Sequence, residues 1–316
     1  MTQMLKPTDL NIAQCADIWR SGGLVAFPTE TVYGLGADAC NGDAVAAIYA
    51  AKARPSFNPL IIHVADITTA QRYAVFSDTA LQLAQAHWPG PLSLVLPIKR
   101  GCGLSELVTA GLETVAVRIP ENPLARQLLG RFGGAVAAPS ANPSGAISPT
   151  TARHVHAGLS GKIDAIIDGG PCHVGLESTI LKVGPDRVHL LRAGGLPLED
   201  IACDVVVSHP RGTEDAPQSP GQLQSHYAPN AQLRMNVTEA HEREYHIGFG
   251  AVAGQINLSR SADLREAATK LFAYLRMADE DAATLGKSHI AVAPIPHEGL
   301  GMAINDRLKR ASAPRG

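Results

Sequence analysis

Thr29, Glu30, Thr31 and Tyr33 follow directly on an apolar run, Leu24-Val25-Ala26-Phe27, and Gly34 and Gly36 come next. The run reads as a short buried strand. Polar groups crowded at its exit make either a braced loop or the wall of a pocket, because loops leaving the strand ends of an open sheet share an edge where ligands bind. The same placement, at or just after an apolar run, recurs at His63, at Arg118, at Ser140 and Asn142, at Ser178 and Thr179, and at Arg192. Lys52 and Arg54 belong with them, at the end of an alanine-rich segment in "KARPSFNPL". Spaced i, i+2 ahead of Pro55, these two cations cannot ride one helix face. A helix end and its turn present them, which suits a multiply charged anion: arginine brings a planar fork and lysine a point charge. Ser140 and Asn142, in "APSANPSG", are bracketed by Pro139 and Pro143. In an extended chain their side chains leave on opposite sides, and only a turn makes them converge.

Each group alone also has a plain structural reading. Lys52 and Arg54 fit a solvated helix end, Ser140 and Asn142 fit turn formers bonding their own backbone, and His63 fits a satisfied core histidine. Arg118 and Arg192 fit surface ion pairs. The chain has no G-x-x-x-x-G-K-[ST], no G-x-G-x-x-G opening a helix, and no G-x-S-x-G, so neither standard phosphate loop nor a serine elbow is present. Taken together, the residues point to a strand-edge pocket dense in cations, hydroxyls and amides, for an anionic substrate such as a phosphate ester. The reaction does not follow from that.

The elements that must position these groups interleave. Thr8 is placed to cap a helix whose buried face carries Ile12, Cys15, Ala16 and Trp19. Helices are also expected over Gly42–Ala53, in "SDTALQLAQAHWPG" with Ser77 as cap, in "NPLARQLLGRFG" and in "TARHVHAGL". Between them, "PLIIHVAD", "LSLVLPI", "TVAVRIP", "GAVAAPSAN", "DAIIDGG", "STILKV" and "VHLLRAGG" read as strands. Without a strict β-α-β rhythm, the expectation is an α/β fold with a mixed sheet and helices packed against it. From His209 to Asn230 the chain turns rich in Pro, Gly, Ser and Gln, as an extended linker. Beyond it a strand–strand–helix–strand–helix order suggests a small three-layer α/β unit. The division expected is therefore 1–208, a linker over 209–230, and 231–316.

Composition narrows the function classes. The chain of 316 residues has a formal net charge of -2 and 4% aromatic residues, which favours neither polyanion binding in bulk nor a stacking platform for single strands. Its five cysteines lack C-x-x-C spacing and read as reduced thiols of a cytosolic protein. Cys172-His173 and the pair His154 and His156 lack the neighbours of a structural zinc site. The N-terminus has no signal-peptide core and no apolar run reaches the roughly 18 residues of a membrane span, so a soluble, cytoplasmic protein is expected.

The motifs "FPTETVYGLG", "KARPSFNPL", "TVAVRIP", "APSANPSG", "LESTIL", "LLRAGG" and "SHYAP" occur in the order seen in the YrdC-like threonylcarbamoyl-AMP synthases, and the chain resembles that family over its first 205 or so residues. The linker and the end "GLGMAINDRLKRA" resemble its longer, two-domain members. The resemblance implies a twisted open sheet around a concave, positively lined cavity. It implies formation of threonylcarbamoyl-adenylate and pyrophosphate from L-threonine, bicarbonate or carbon dioxide, and ATP. The product serves modification of the adenosine beside the anticodon of tRNAs reading codons that begin with A. By similarity, Lys52, Arg54, Ser140 and Asn142 line the triphosphate and the reacting carbamate. Thr31, His63, Arg118 and Ser178 match threonine positions; Asn58, Thr114, Ser148 and Arg192 match nucleotide positions, with Arg54 and Ser140 shared. His226 and Tyr227, at the end of the linker, are implied to fold over the mouth, which puts Tyr227 beside the ATP. Mg2+ is implied to arrive on the ATP phosphates. The implied partners are threonylcarbamoyl-transferase proteins downstream, with a weak tRNA contact and no membrane.

Within the opening motif, Thr29 and Tyr33 either share the pocket with Thr31 or brace its loop, and Glu30 is expected to orient Lys52 or Arg54. Two departures stand out. Ala138-Pro139 replaces a threonine frequent before the S-x-N turn, and Gln222-Leu223-Gln224-Ser225 is neutral where relatives carry basic residues. The rival readings are an RNA-binding, translation-associated module without catalysis and a carbamoyl-phosphate-using relative. The latter carries zinc-finger-like segments, and no C-x-x-C occurs here.

Overall fold

A computed structural model describes residues 1–55, 57–201, 203–207 and 226–314. The linker expected over 209–230 lies outside the described residues as far as 225, and so do Gln222 to Ser225. The first part of the chain supplies strands β1 (Gln3–Leu5), β2 (Val25–Phe27), β3 (Gly34–Asp38), β4 (Ile61–His63), β5 (Leu92–Pro97), β6 (Thr114–Arg118), β7 (Val136–Ala137), β8 (Ala165–Ile167), β9 (Thr179–Val183), β10 (Val188–Arg192) and β11 (Val205–Val207). They form one mixed sheet in the order β1-β8-β2-β3-β7-β4-β6-β5-β9-β10-β11. Its helices are α1 (Asp9–Arg20), α2 (Gly42–Lys52), α3 (Ile67–Ala70), α4 (Asp78–His87), α5 (Glu106–Thr109), α6 (Pro123–Phe132) and α7 (Ala152–Leu159).

Local chemistry sets the helix ends. The Thr8 hydroxyl accepts from Asn11 N, and Ile12, Cys15, Ala16 and Trp19 are the buried face of α1. Ser77 caps α4, and Asn122 caps α6 with Pro123 in its first turn. The α2 helix ends on Ala53, which takes the left-handed conformation with φ 50° and turns Arg54 away from the helix axis.

The strand order brings distant segments to one edge. β4 and β6 run parallel with His63 opposite Arg118, and β7 lies antiparallel to β4 with Ala137 opposite Ile62. The chain then turns through Ser140, which bridges Gly34 just after the polar exit of β2. β9 runs parallel to β5 and antiparallel to β10, where a bulge between Leu190 and Arg192 re-aims the arginine.

A second, smaller α/β unit follows, with β12 (Gln232–Arg234), β13 (Glu244–Gly248), β14 (Ile256–Asn257), α8 (Leu264–Thr284), β15 (His289–Val292) and α9 (Leu300–Ser312). Its sheet, in the order β12-β15-β13-β14, is parallel throughout. It opens one strand earlier than the sequence suggested, because Gln232–Arg234 pairs with β15 at its outer edge and carries little apolar pattern of its own. The two units share apolar packing: Val32, Ile147 and Leu176 of the first join Tyr227, Leu271, Phe272 and Ile304 in one buried cluster. Close approach seals the contact, since a Cβ on Gly175 would meet Thr269 Cα at 2.4 Å. Among the described residues no helix is long and apolar enough to cross a membrane.

Candidate active site

The loop after β2 is built around a threonine. Thr29 Oγ1 donates to the Val32 carbonyl at 2.6 Å and accepts from the amides of Thr31 and Val32, so its hydroxyl closes the turn. Thr31 Oγ1 lies 2.8 Å from Thr29 Oγ1 and accepts from Arg118 Nη1 at 2.9 Å. Arg118 Nη2 donates to Glu30 Oε1 at 2.5 Å, and the other Glu30 oxygen accepts from the Glu121 amide. Glu30 therefore orients Arg118, and not Lys52 or Arg54 as the sequence suggested. Tyr33 points elsewhere, donating to the Gly170 carbonyl at 2.7 Å.

Lys52 is buried, and its Nζ donates to the carbonyls of both Ser140 and Asn142, at 2.5 Å for the first. Ser144 N in turn donates to the Lys52 carbonyl. The cation thus clamps the S-x-N turn by its backbone. Burial and the nearby Arg54 guanidinium both lower the Lys52 pKa. Arg54, also buried, donates to the carbonyls of Asn58 and Pro59. Its pKa falls to about 10, chiefly by burial, with Arg192 adding repulsion.

At the end of β4, His63 packs edge-on to Phe27, and burial beside Arg118 lowers its pKa to about 3. The imidazole is neutral at physiological pH. Ser178 Oγ lies 2.7 Å from Ser93 Oγ, and Arg192 donates to the Ser178 carbonyl at 2.8 Å. Burial lowers the Arg192 pKa to about 10. Ser148 donates to Glu177 Oε1 at 2.5 Å, while Glu177 Oε2 accepts from Arg307 of α9. The His226 and Tyr227 rings lie 4.0 Å apart with their planes tilted by 55°, and Tyr227 holds a left-handed φ of 62°, uncommon for an aromatic residue. Burial lowers the His226 pKa to about 3.

These groups enclose a cavity of about 50 Å³, lined by Thr31, Arg54, His63, Arg118, Ser140, Ser178, Arg192 and Tyr227, together with Thr29, Glu177 and His226. Pockets for small ligands usually measure about 300–1,000 Å³, and this smaller one has His226 and Tyr227 in its wall. Asn58, His63, Asn142 and His226 each bury a polar side-chain atom without a partner among the described residues. Such orphans cost about 1–3 kcal/mol each, so the two in the cavity wall, His63 and His226, mark a place where a ligand completes the bonding. A larger open depression of about 500 Å³ against α1, near Leu10 and Asp17, gathers none of this chemistry.

Two family models match consecutive stretches of the chain: one described as "Telomere recombination" over residues 17–194, and the threonylcarbamoyl-AMP synthase C-terminal domain over residues 196–313. The threonylcarbamoyl-AMP synthase of Bacillus subtilis is 42% identical, with 100% of this chain and 96% of that protein covered. The chain belongs to the threonylcarbamoyl-AMP synthase family. The synthase of Pyrococcus abyssi is 39% identical over 94% of this chain and 92% of its own. The crystal structure of P. abyssi Sua5 complexed with L-threonine superposes with a TM-score of 0.87 at 36% identity, covering 99% of this chain and 97% of that one.

In this member of the synthase family, eight of the thirteen residues that the resemblance assigned to the substrates or the reacting carbamate line the cavity. Lys52, Asn58, Asn142 and Ser148 stand behind that lining, the first holding the turn and the last holding Glu177. Thr114 opens β6, four residues before Arg118 and so roughly 13 Å along the strand. Sequence reasoning passed over Glu177, although "LESTIL" was in view, and gave Glu30 the wrong partner. Arg307 was passed over altogether. The signal available was an acid immediately preceding two hydroxyl residues at a strand entry, but its partner sits 130 residues away.

Proposed function

We infer that the protein makes threonylcarbamoyl-AMP from L-threonine, bicarbonate or carbon dioxide, and ATP, with release of pyrophosphate. The observation that carries this reading is one cavity whose wall holds both Arg118, fixed by Glu30 and Thr31, and the buried cations Arg54 and Arg192. A guanidinium with a fixed fork suits a carboxylate, and two mutually repelling buried cations suit a polyphosphate. Named relatives of matching length are threonylcarbamoyl-AMP synthases, and one was crystallised with L-threonine.

The threonine nitrogen attacks carbon dioxide and loses a proton, giving a carbamate. A carbamate oxygen then attacks the ATP α-phosphorus, the bond to the bridging β-phosphate oxygen breaks, and pyrophosphate leaves. No covalent enzyme intermediate is required, so the protein contributes positioning and charge stabilisation. In this scheme Arg118 receives the threonine carboxylate, with Thr31, neutral His63 and Ser178 around it. Arg54, Asn58, Ser140, Ser148, Arg192 and Tyr227 surround the nucleotide, with Thr114 further out. Lys52 and Asn142 fix the S-x-N turn beside the reacting atoms. His226 and Tyr227 exclude water from a carbamate and a mixed anhydride that hydrolyse readily.

Mg2+ fits as a passenger of the phosphates. Glu30 and Glu177, the carboxylates beside the cavity, are committed to Arg118 and to Ser148 and Arg307, and among the described residues no group of three His, Cys, Asp or Glu could hold a metal. When bound, the ion neutralises charge on the leaving pyrophosphate. The adenylate passes to threonylcarbamoyl-transferase proteins that modify tRNA in the cytoplasm, and the chain itself touches tRNA weakly at most. The experiment is pyrophosphate release from ATP and Mg2+, omitting threonine or bicarbonate in turn. Release that needs both supports the reading, and release indifferent to threonine sinks it.

A further inference from the structure

Arg307 lies on α9, in the C-terminal unit, yet it is fully buried against the catalytic part of the chain. Its Nε donates to Glu177 Oε2 at 2.8 Å and its Nη1 to Asp306 at 2.7 Å. The guanidinium also sits 5.3 Å above the Tyr227 ring, which stacks on Phe272 of α8 at 5.4 Å. Glu177 and Tyr227 line the cavity, whereas Arg307 does not. The C-terminal unit thus reaches the site through one carboxylate and one ring.

Glu177 stands where a negative charge needs explaining. It shares the cavity wall with Arg54 and Arg192, the cations that suit phosphates. Burial works against its charge, and Arg307 first, then Arg192, more than offset that and keep its pKa low. An unrestrained carboxylate here would repel a polyphosphate, or turn to Arg192 and neutralise a cation the phosphates require. Arg307 holds one Glu177 oxygen and leaves the other to Ser148, which blocks both outcomes.

We propose that Arg307 is a positioning residue for the phosphate end of the cavity, acting from the C-terminal unit through Glu177. The proposal rests on the reading of that end as the ATP site. It gives the C-terminal unit a part in the reaction without placing any of its own side chains on substrate.

The test is steady-state pyrophosphate release by the full chain carrying Arg307→Met, Glu177→Gln, or both. Arg307→Met raises the KM for ATP about tenfold or more, while the KM for threonine moves less than about threefold. In the double variant the KM for ATP returns to that of Glu177→Gln alone, because the carboxylate that Arg307 restrains is gone. Arg307→Lys keeps the charge without the fork and falls between wild type and Arg307→Met. Should Arg307→Met fail to fold, the double variant against Glu177→Gln carries the same test: equal KM values for ATP support the proposal, and a higher one in the double variant overturns it. A merely architectural role would shift both substrates alike and leave the double variant worse than either single one. That result, or an unmoved KM for ATP in folded Arg307→Met, overturns the proposal. Wild-type protein that releases no pyrophosphate defeats the functional reading instead, and ATP dissociation constants from calorimetry then run the same comparison among the variants.

Discussion

Arg118 Nη2 lies 2.5 Å from Glu30 Oε1 in a buried pair, and the same guanidinium holds Thr31 with its other terminal nitrogen. A carboxylate that fixes a cavity-lining arginine controls orientation more than charge. Glu30→Gln should therefore raise the KM for threonine about tenfold or more and that for ATP far less. Because it leaves a buried cation uncompensated, it should also cost about 3–5 kcal/mol of stability. Initial-rate kinetics and urea unfolding of the same preparation check both. Equal rises in the two KM values would show that Glu30 does not act through Arg118.

The S-x-N turn depends on a cation in the same way. Lys52 Nζ donates to the carbonyls of Ser140 and Asn142, bonds to a charged donor worth about 1.5–3 kcal/mol each. Lys52→Met should lower kcat about a hundredfold and destabilise the fold by several kcal/mol, with Lys52→Arg a poor substitute because a planar fork does not replace a point donor. A variant of unchanged stability, impaired only in its KM for ATP, would instead make Lys52 a phosphate ligand.

Local signals made much of this fold legible in the sequence. The Thr8 and Ser77 caps, and the buried stripe of α1, depend on residues within a turn or two of each other. β3 was not legible: Gly34–Asp38 has neither alternation nor branched residues, and it is a strand because β2 and β7 flank it. β1 and β12 were missed for the same reason, three residues each at a sheet edge. For the site, placement after apolar runs found the groups that line the cavity but not their bonds. Glu30 meets Arg118 across 88 residues of chain and Glu177 meets Arg307 across 130, and no spacing rule reaches that far. The bonds from Lys52 to two carbonyls are equally invisible to local spacing.

Gly194 tests how tightly the second wall of the cavity is built. A Cβ there would meet the Glu177 carbonyl at 2.3 Å and Ser178 C and Thr179 N at 2.4 Å, all of them backbone. Backbone cannot swing aside as a side chain can, so Gly194→Ala should cost about 1–3 kcal/mol or more. It should also displace Ser178 from Arg192 and impair both substrates. Urea unfolding with parallel kinetics measures this. Wild-type stability in the variant would mean that the two strands separate more easily than their packing implies.

His63 sets a sign for the pH dependence of stability. Burial and the neighbouring Arg118 lower its folded pKa to about 3, against about 6.5 for a free imidazole. Between those values the unfolded chain takes up a proton that the folded chain refuses. The stabilisation is therefore intact above pH about 6.5 and is lost as pH falls toward 3, at up to about 1.4 kcal/mol per pH unit. His226, lowered to about 3 mainly by burial, adds a contribution of the same sign. Unfolding midpoints in urea at pH 7, 6, 5 and 4 should fall more steeply for wild type than for His63→Asn, by about one proton's worth of slope. Parallel curves would mean that the imidazole titrates normally in the fold. The same neutrality predicts that threonine affinity between pH 6 and 8 shows no step from His63.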